Sequence, residues 1–412
     1  MTARSTGVAG LVPGRSVRRM RWDEARRTAG HAAAPLPAET RPLAAAAGQA
    51  LAAPLTALTD LPAFDTAAMD GWAVAEPGPW ALLRDNVVVG RLPAALAAGT
   101  ARRIATGAPV PAGAFAVLRL EDGIEASGAL RSGVPLAPGR DIRPRGQECA
   151  AGTVLVEAGT TVTAALLGLA AAAGHDDLRV HRRPAVQVFV TGDELLRSGI
   201  PADGRVRDAL GPLLAPWLTA TGASVHGPVP LSDDPAALRA QLRGGQADVI
   251  VTTGSTSAGQ TDLLHRLLPE AGAHFLVDSV AVRPGHPMLL AALPPADPDG
   301  QRERGQPRWL VGLPGNPLAA VAGLVTLALP LLRRLGGHRP AGPRHLPAAT
   351  PFPGHPADVR LVPATVARDR ACPLPFDGPA MLRGMALADV LAVVPPGGAA
   401  EGDLVETIPL SG

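Results

Sequence analysis

Three carboxylates and one loop of small residues carry most of the chemistry available to this sequence. Glu194, Asp233 and Asp262 lie in one stretch of chain, each in a loop or at the start of a helix-like segment. Three carboxylates converging on one crevice suit a hard cation such as Mg²⁺, which takes oxygen ligands and keeps several waters. The competing reading is helix capping, because Asp193, Asp233 and Asp234 all precede helix-like stretches. The segment Thr252-Thr253-Gly254-Ser255-Thr256-Ser257-Ala258-Gly259 runs up to Asp262. Its small side chains let backbone N–H groups approach an anion, and a helix N-terminus beyond it adds a positive dipole, so a pyrophosphate would fit. The same composition also describes an ordinary strand-to-helix loop.

Three further segments attract attention. Phe64-Asp65-Thr66-Ala67-Ala68-Met69-Asp70-Gly71-Trp72 and Thr106-Gly107-Ala108-Pro109-Val110-Pro111 both read as turns by composition. Arg143-Pro144-Arg145-Gly146 offers phosphate-binding guanidinium groups or a merely solvated turn. No GxSxG elbow, Walker A or GxGxxG pattern occurs, and the histidines lack zinc-ligand spacing, so the commonest hydrolase, kinase and dehydrogenase readings lose ground.

The elements that must position these residues follow from composition and periodicity. A chain of 412 residues is too long for one core, which implies several domains. Hydrophobic residues at 47% and charged residues at 18% describe a globular chain. All 38 basic residues are Arg, set against 36 acidic ones, so no nucleic-acid footprint is expected. The two cysteines exclude a disulfide scaffold and fit a reducing cytoplasm, and no signal peptide is read at the N-terminus. The longest apolar run, 318–332, is shorter than a membrane span and reads as a buried helix, so no membrane partner is expected. Residues 1–15 are expected to be disordered. Helices are expected over 16–28, 42–51, 163–173, 213–221 and 235–242, and apolar strands over 185–190, 247–253 and 309–313. Strand, loop and helix in repetition predict a parallel α/β sheet over 184–335, with its ligand crevice at the strands' carboxyl ends. Short runs such as 80–83, 86–89 and 115–120 between Gly/Pro turns predict a β-rich domain over 54–136. Runs such as 388–394 and 404–409 predict a C-terminal β-domain over 336–412. Residues 16–53 with 137–183 read as an N-terminal helical and linker domain.

The order and spacing of the segments say more than any one of them. The chain resembles the MoeA-type molybdopterin molybdenumtransferases, the family that includes the gephyrin E domain. Residues 67–72 are similar to its S-x-M-D-G-[YW], with Ala67 where Ser is usual. Residues 106–111 match T-G-A-P-x-P, 191–195 match T-G-D-E-L, and 312–317 match G-L-P-G-N-P. Residues 141–146 resemble N-[IV]-R-x-x-G, 254–262 resemble G-G-V-S-x-G-x-x-D, and 283–287 resemble K-P-G-K-P. The resemblance implies a multidomain fold: a central α/β/α domain like the molybdopterin adenylyltransferases, small β-rich domains, and a C-terminal β-barrel-like domain. It implies a cytoplasmic homodimer that takes adenylylated molybdopterin and molybdate and, with Mg²⁺, releases molybdenum cofactor and AMP. A molybdopterin adenylyltransferase is the implied partner protein. Glu194, Asp233 and Asp262 would act on the metal and in catalysis, with Asp70 contributed by the partner subunit. Thr106, Arg145, Glu148, Gly254, Ser255, Ser257, Gly259, Arg283, Pro314, Gly315, Asn316 and Pro317 would bind substrate.

The departures are specific. The family's D-S-N is Asp208-Ala209-Leu210, which puts an apolar side chain where an amide is expected beside the crevice. The second Lys of K-P-G-K-P is His286, and a further family Lys falls on Ser279. Two other classes stay open: a divergent paralogue that binds a molybdopterin-like or nucleotide ligand without turnover, which the changed Asp208-Ala209-Leu210 segment favours, and a scaffold protein, as the resemblance to gephyrin implies.

Overall fold

The computed structural model describes residues 19–76, 78–254, 263–295 and 307–410. The chain divides into two compact units, one of Glu39–Ala47 with Leu51–Val180 and one of Met1–Ala38, Gly48–Ala50 and His181–Gly412.

The smaller unit is built on a six-stranded sheet. Its strands run Ala116–Arg119, Gly71–Val74, Thr100–Ile104, Trp80–Leu82, Ala129–Ser132 and Gly123–Ala126 in spatial order. Side chains alternate faces along each strand, so Trp72, Val74 and Leu118 pack into one cluster and Ala73, Ile104 and Val117 into another. Gly71 opens its strand rather than closing a turn. A Cβ there would stand 1.9 Å from the Leu118 carbonyl oxygen, so only glycine lets the two strands pair. The apolar run 86–89 forms no strand; Val87 makes a single bridge to Ile104, and Val88 and Val89 are exposed. The helix expected over 163–173 is Ala164–Ala172, and Thr163 caps it by accepting the Leu166 N–H. The helix expected over 42–51 shortens to Leu43–Ala46, ending before Gly48 at φ +78°.

The larger unit carries a six-stranded sheet in the order Ser224–Leu231, Ala185–Thr191, Val249–Thr253, Arg308–Leu313, Leu289–Leu293 and His274–Asp278. The first four strands are parallel; the last two, not read from the sequence, add antiparallel at one edge. Helix Leu210–Ala220 buries Leu214 and Leu218 on one face of this sheet, with Val186, Val188 and Val251. Pro235–Arg243 and Leu263–Glu270 cover the other face, where Leu238, Leu264 and Leu267 meet Phe189, Ile250 and Leu310. Three layers result.

The apolar run 318–332 lies in a longer helical stretch than expected. Pro317–Gly323, a π-helical turn Leu324–Ala328 and Leu329–Leu335 follow one another. These 19 residues are long and apolar enough to cross a membrane. Here they are mostly buried, and Leu318, Val321, Leu327 and Leu331 lie in the core. Trp22, on helix Trp22–His31, donates its indole N–H to Thr326 Oγ1 at 3.0 Å, within that π turn.

The sheet of the C-terminal region draws strands from outside it. Met20–Arg21 pairs in parallel with Val280–Arg283, which pairs in parallel with Val359–Ala367. Val390–Val394, Leu404–Pro409 and Arg344–Pro347 continue the order, and Arg370–Pro373 pairs with Val359–Ala367. Both cysteines are free.

Candidate active site

The smaller unit brings three motif segments together. Ile142 pairs with Ala67, and Ala68 N–H donates to the Asp141 carbonyl at 2.8 Å. Gly107 N–H donates to the Ala67 carbonyl at 2.8 Å, and Ala67 N–H to the Ala108 carbonyl at 3.0 Å. The 67–72, 106–111 and 141–146 segments, each turn-like alone, therefore form one hydrogen-bonded patch. Asp70 stands on it just before the Gly71 strand. Its Oδ1 accepts the Thr106 backbone N–H at 2.7 Å and the Thr106 hydroxyl at 2.9 Å. Those two bonds, aided by the positive charge of Arg103, hold the Asp70 carboxyl below the usual carboxylate range. Asp70 is thus a fixed, ionised and solvent-facing carboxylate.

Arg145 anchors the rim of this patch. Its backbone N–H donates to Asp65 Oδ1 at 2.7 Å, and its guanidinium pairs with Asp60. The Ala151 backbone N–H and the Arg145 side chain hold the Asp60 carboxyl low. Arg145 is half committed to structure, with 67% of its side chain still exposed. Glu148 is exposed, and its backbone N–H donates to the Leu61 carbonyl at 2.8 Å.

In the larger unit the candidate residues collect at the carboxyl ends of the parallel strands. Strand Ala185–Thr191 ends at Thr191, whose hydroxyl donates to the Thr253 carbonyl at the end of the neighbouring strand. The next residues form no helix, contrary to the capping reading of Asp193; a short strand Leu195–Leu196 follows, paired with Val206–Arg207. Gly192 has φ +138°, and a Cβ there would stand 2.8 Å from the Glu194 carboxylate, which folds back over it. The Asp193 backbone N–H reaches Asp233 Oδ2 at 3.4 Å, so the two carboxylate-bearing loops touch. Asp234, not Asp233, caps helix Pro235–Arg243 by accepting the Ala236 N–H at 3.0 Å. Glu194 and Asp233 both remain exposed.

Gly254 and Gly315 bring two more strand ends together. Gly254 N–H donates to the Leu313 carbonyl at 2.9 Å, and Gly254 has φ +81°. A Cβ on Gly315 would lie 3.8 Å from the Gly254 Cα. Pro314 is buried, whereas Gly315 and Asn316 are exposed, and Asn316 occupies the N-cap of the helix that Pro317 opens. That helix start is already partly satisfied: the Leu318 and Ala319 N–H groups reach the Pro379 carbonyl at 2.9 and 3.3 Å. Ser255, Ser257, Gly259 and Asp262 lie outside the described residues.

One expectation changes. Leu210 does not border the crevice: it is buried in the core with Leu214 and Val188, while Asp208 Oδ1 accepts the Leu210 and Gly211 N–H groups at 2.9 and 3.0 Å. Arg283 Nε donates to buried Asp358 at 3.0 Å, with 44% of the arginine side chain still exposed. No local pattern marks Asp358, whose arginine partners lie 75 and 339 residues away.

Comparison with known proteins agrees over most of the chain. Residues 20–174 match the MoeA N-terminal region (domain I and II), 187–334 the probable molybdopterin binding domain, and 345–410 the MoeA C-terminal region (domain IV). A protein named molybdopterin molybdenumtransferase 2 from Mycobacterium tuberculosis is 35% identical over 320 residues, covering 72% of this chain and 75% of that one. Molybdopterin molybdenumtransferase from Synechococcus elongatus is 32% identical over 314 residues, covering 72% of this chain and 75% of its own length. A crystal structure of a molybdopterin biosynthesis MoeA protein from Pyrococcus horikosii superposes with a TM-score of 0.72 at 25% identity, over 96% of this chain and 100% of that one. Motif order, strand-end geometry and these likenesses along the chain converge: the protein belongs to the MoeA family of molybdopterin molybdenumtransferases.

Proposed function

We propose that this chain inserts molybdate into adenylylated molybdopterin, in the presence of Mg²⁺, and releases AMP and molybdenum cofactor. One observation carries the reading: residues from separate strand ends, Glu194, Asp233 and the Gly254–Gly315 pair, gather on one rim of the α/β sheet. The glycines let the backbone come close to a pyrophosphate there. The carboxylates stand beside it, where charge must be managed when a phosphoanhydride breaks.

The donor set fits Mg²⁺. Among the described residues no group of three His, Cys, Asp or Glu side chains could hold a metal ion alone. Glu194 and Asp233 are exposed oxygen donors on touching loops, which suits an ion bound by one or two carboxylates, substrate phosphates and waters. Mg²⁺ bound there would neutralise phosphate charge and polarise the bond to be broken. Asp70 lies in the other unit, and its ionised carboxylate is offered to the molybdate end of the reaction by the partner subunit of a homodimer. The adenylyltransferase that makes the substrate is the proposed partner protein, and the cytoplasm the proposed location.

Removing the carboxylates tests this. Glu194→Ala and Asp262→Ala are each expected to lower insertion by about a hundredfold, the scale of losing one charge-stabilising group. Glu194 is exposed, so its variant should keep its melting temperature within the small range of surface substitutions. Wild-type turnover in either variant contradicts the carboxylate assignment.

A further inference from the structure

Two arginines from distant parts of the chain converge on one buried carboxylate. Arg19 Nη1 donates to Asp358 Oδ2 at 2.7 Å, and Arg283 Nε donates to the same oxygen at 3.0 Å. Asp358 is 1% exposed, and its Oδ1 has no hydrogen-bond partner among the described residues. The His355 Nδ1 accepts the Asp358 backbone N–H at 2.9 Å. Two permanent positive charges therefore face one negative charge. Each arginine spends one donor on Asp358, and both side chains stay well exposed, at 38% and 44%.

This surplus charge sits where the sequence has lost charge. Ser279 and His286 occupy positions where the family resemblance implies lysines. The Met20 N–H donates to the Ser279 carbonyl at 3.0 Å, and Met20 pairs with Val280, so Arg19 lies next to Ser279. His286 does not replace a lysine's charge, since burial and then the nearby Arg283 and Arg19 hold its imidazole toward the neutral form. The loop bearing it rests on the helix that begins at Pro317. A Cβ on Gly285 would meet the Ala319 carbonyl at 2.7 Å, which leaves glycine the residue that allows this contact. Arg283 leads into the loop that packs on the helix beginning at Pro317, and Arg19 reaches the same carboxylate from the paired strand at Met20–Arg21.

We propose that Arg19 binds the anionic phosphate part of the substrate alongside Arg283, and that Asp358 is a positioning residue holding the two side by side. The proposal rests on the function proposed above for the choice of substrate, though not for the anion site itself. Arginine suits the role because its planar, permanently charged fork binds phosphate oxygens in pairs. The main-chain ladder at Met20–Arg21 fixes where it points from.

The test uses the full-length protein and two probes, inorganic pyrophosphate alone and adenylylated molybdopterin, followed by calorimetry. Arg19→Gln is expected to weaken binding of both by about tenfold, the order expected for one lost charge-assisted contact. In the insertion assay it should raise KM with kcat nearly unchanged. Arg19→Lys should restore most of the affinity, which a packing defect would not allow, and also serves if Arg19→Gln fails to fold. Unchanged pyrophosphate affinity in Arg19→Gln, or wild-type protein that binds no pyrophosphate, overturns the proposal. Arg19-dependent binding of pyrophosphate with no binding of adenylylated molybdopterin would uphold the anion site and sink the proposed reaction instead.

Discussion

Asp70 and Thr106 show how a plain turn sequence becomes a charged fixture. Neither residue has an unusual composition around it, and 36 positions separate them. The pairing of Ala67 with Ile142 and the bonds to Gly107 and Ala108 bring them within 2.7 Å. Both Thr106 donors prefer the ionised carboxylate, so the proton affinity of Asp70 falls. The sign of a perturbation follows. Thr106→Val keeps the backbone donor and deletes the hydroxyl donor, so the Asp70 pKa should rise toward its ordinary value. If ionised Asp70 supports turnover, the acid limb of the pH–rate profile moves to higher pH in Thr106→Val. An acid limb that stays in place, or moves to lower pH, removes Asp70 from the groups that limit turnover.

At the scale of elements, Leu210 is the instructive residue. From the sequence it stands where the family presents an amide, which suggests a damaged crevice. Helix Leu210–Ala220 instead turns Leu210 into the core, and Asp208 alone serves the helix start with two hydrogen bonds. Leu210→Asn would bury an unpaired amide and lose apolar burial, at a cost of about 3 kcal/mol in all. Denaturant unfolding should show that loss, without any gain in substrate affinity. Unchanged stability together with tighter binding would return Leu210 to the crevice. The parallel strands were legible because each is a short apolar run closed by a turn, as in Val249–Thr253 and Arg308–Leu313. Ser224–Leu231 was not, because it is an edge strand, largely exposed and interrupted by Gly227, Pro228 and Pro230. Strand Val280–Arg283 was missed for another reason: four residues followed by Pro-Gly resemble a loop, and its partners Met20–Arg21 and Val359–Ala367 lie far away in sequence. The candidate site divides in the same way. Motif spacing marked Asp70, Thr106 and Glu194, and loop position marked Asp233, whereas the bonds that tie Asp70 to Thr106 and the Asp358 that engages Arg283 emerge only from tertiary pairing.

On the scale of the whole molecule, the candidate residues fall into two sets in two compact units: Asp70, Thr106 and Arg145 in one, the sheet-rim carboxylates and glycines in the other. The proposed homodimer would complete each site with the partner's Asp70. Light scattering at micromolar concentration should then give twice 41.8 kDa, and a monomer mass would contradict it. The central claim is the reaction itself, and release of AMP measures it most directly. Purified protein, adenylylated molybdopterin and Mg²⁺ should release AMP when molybdate is added and little without it, with molybdenum cofactor formed in equal amount. Adenylylated molybdopterin that is bound but yields no AMP with molybdate present would contradict the proposed transferase reaction and leave a binding protein in its place.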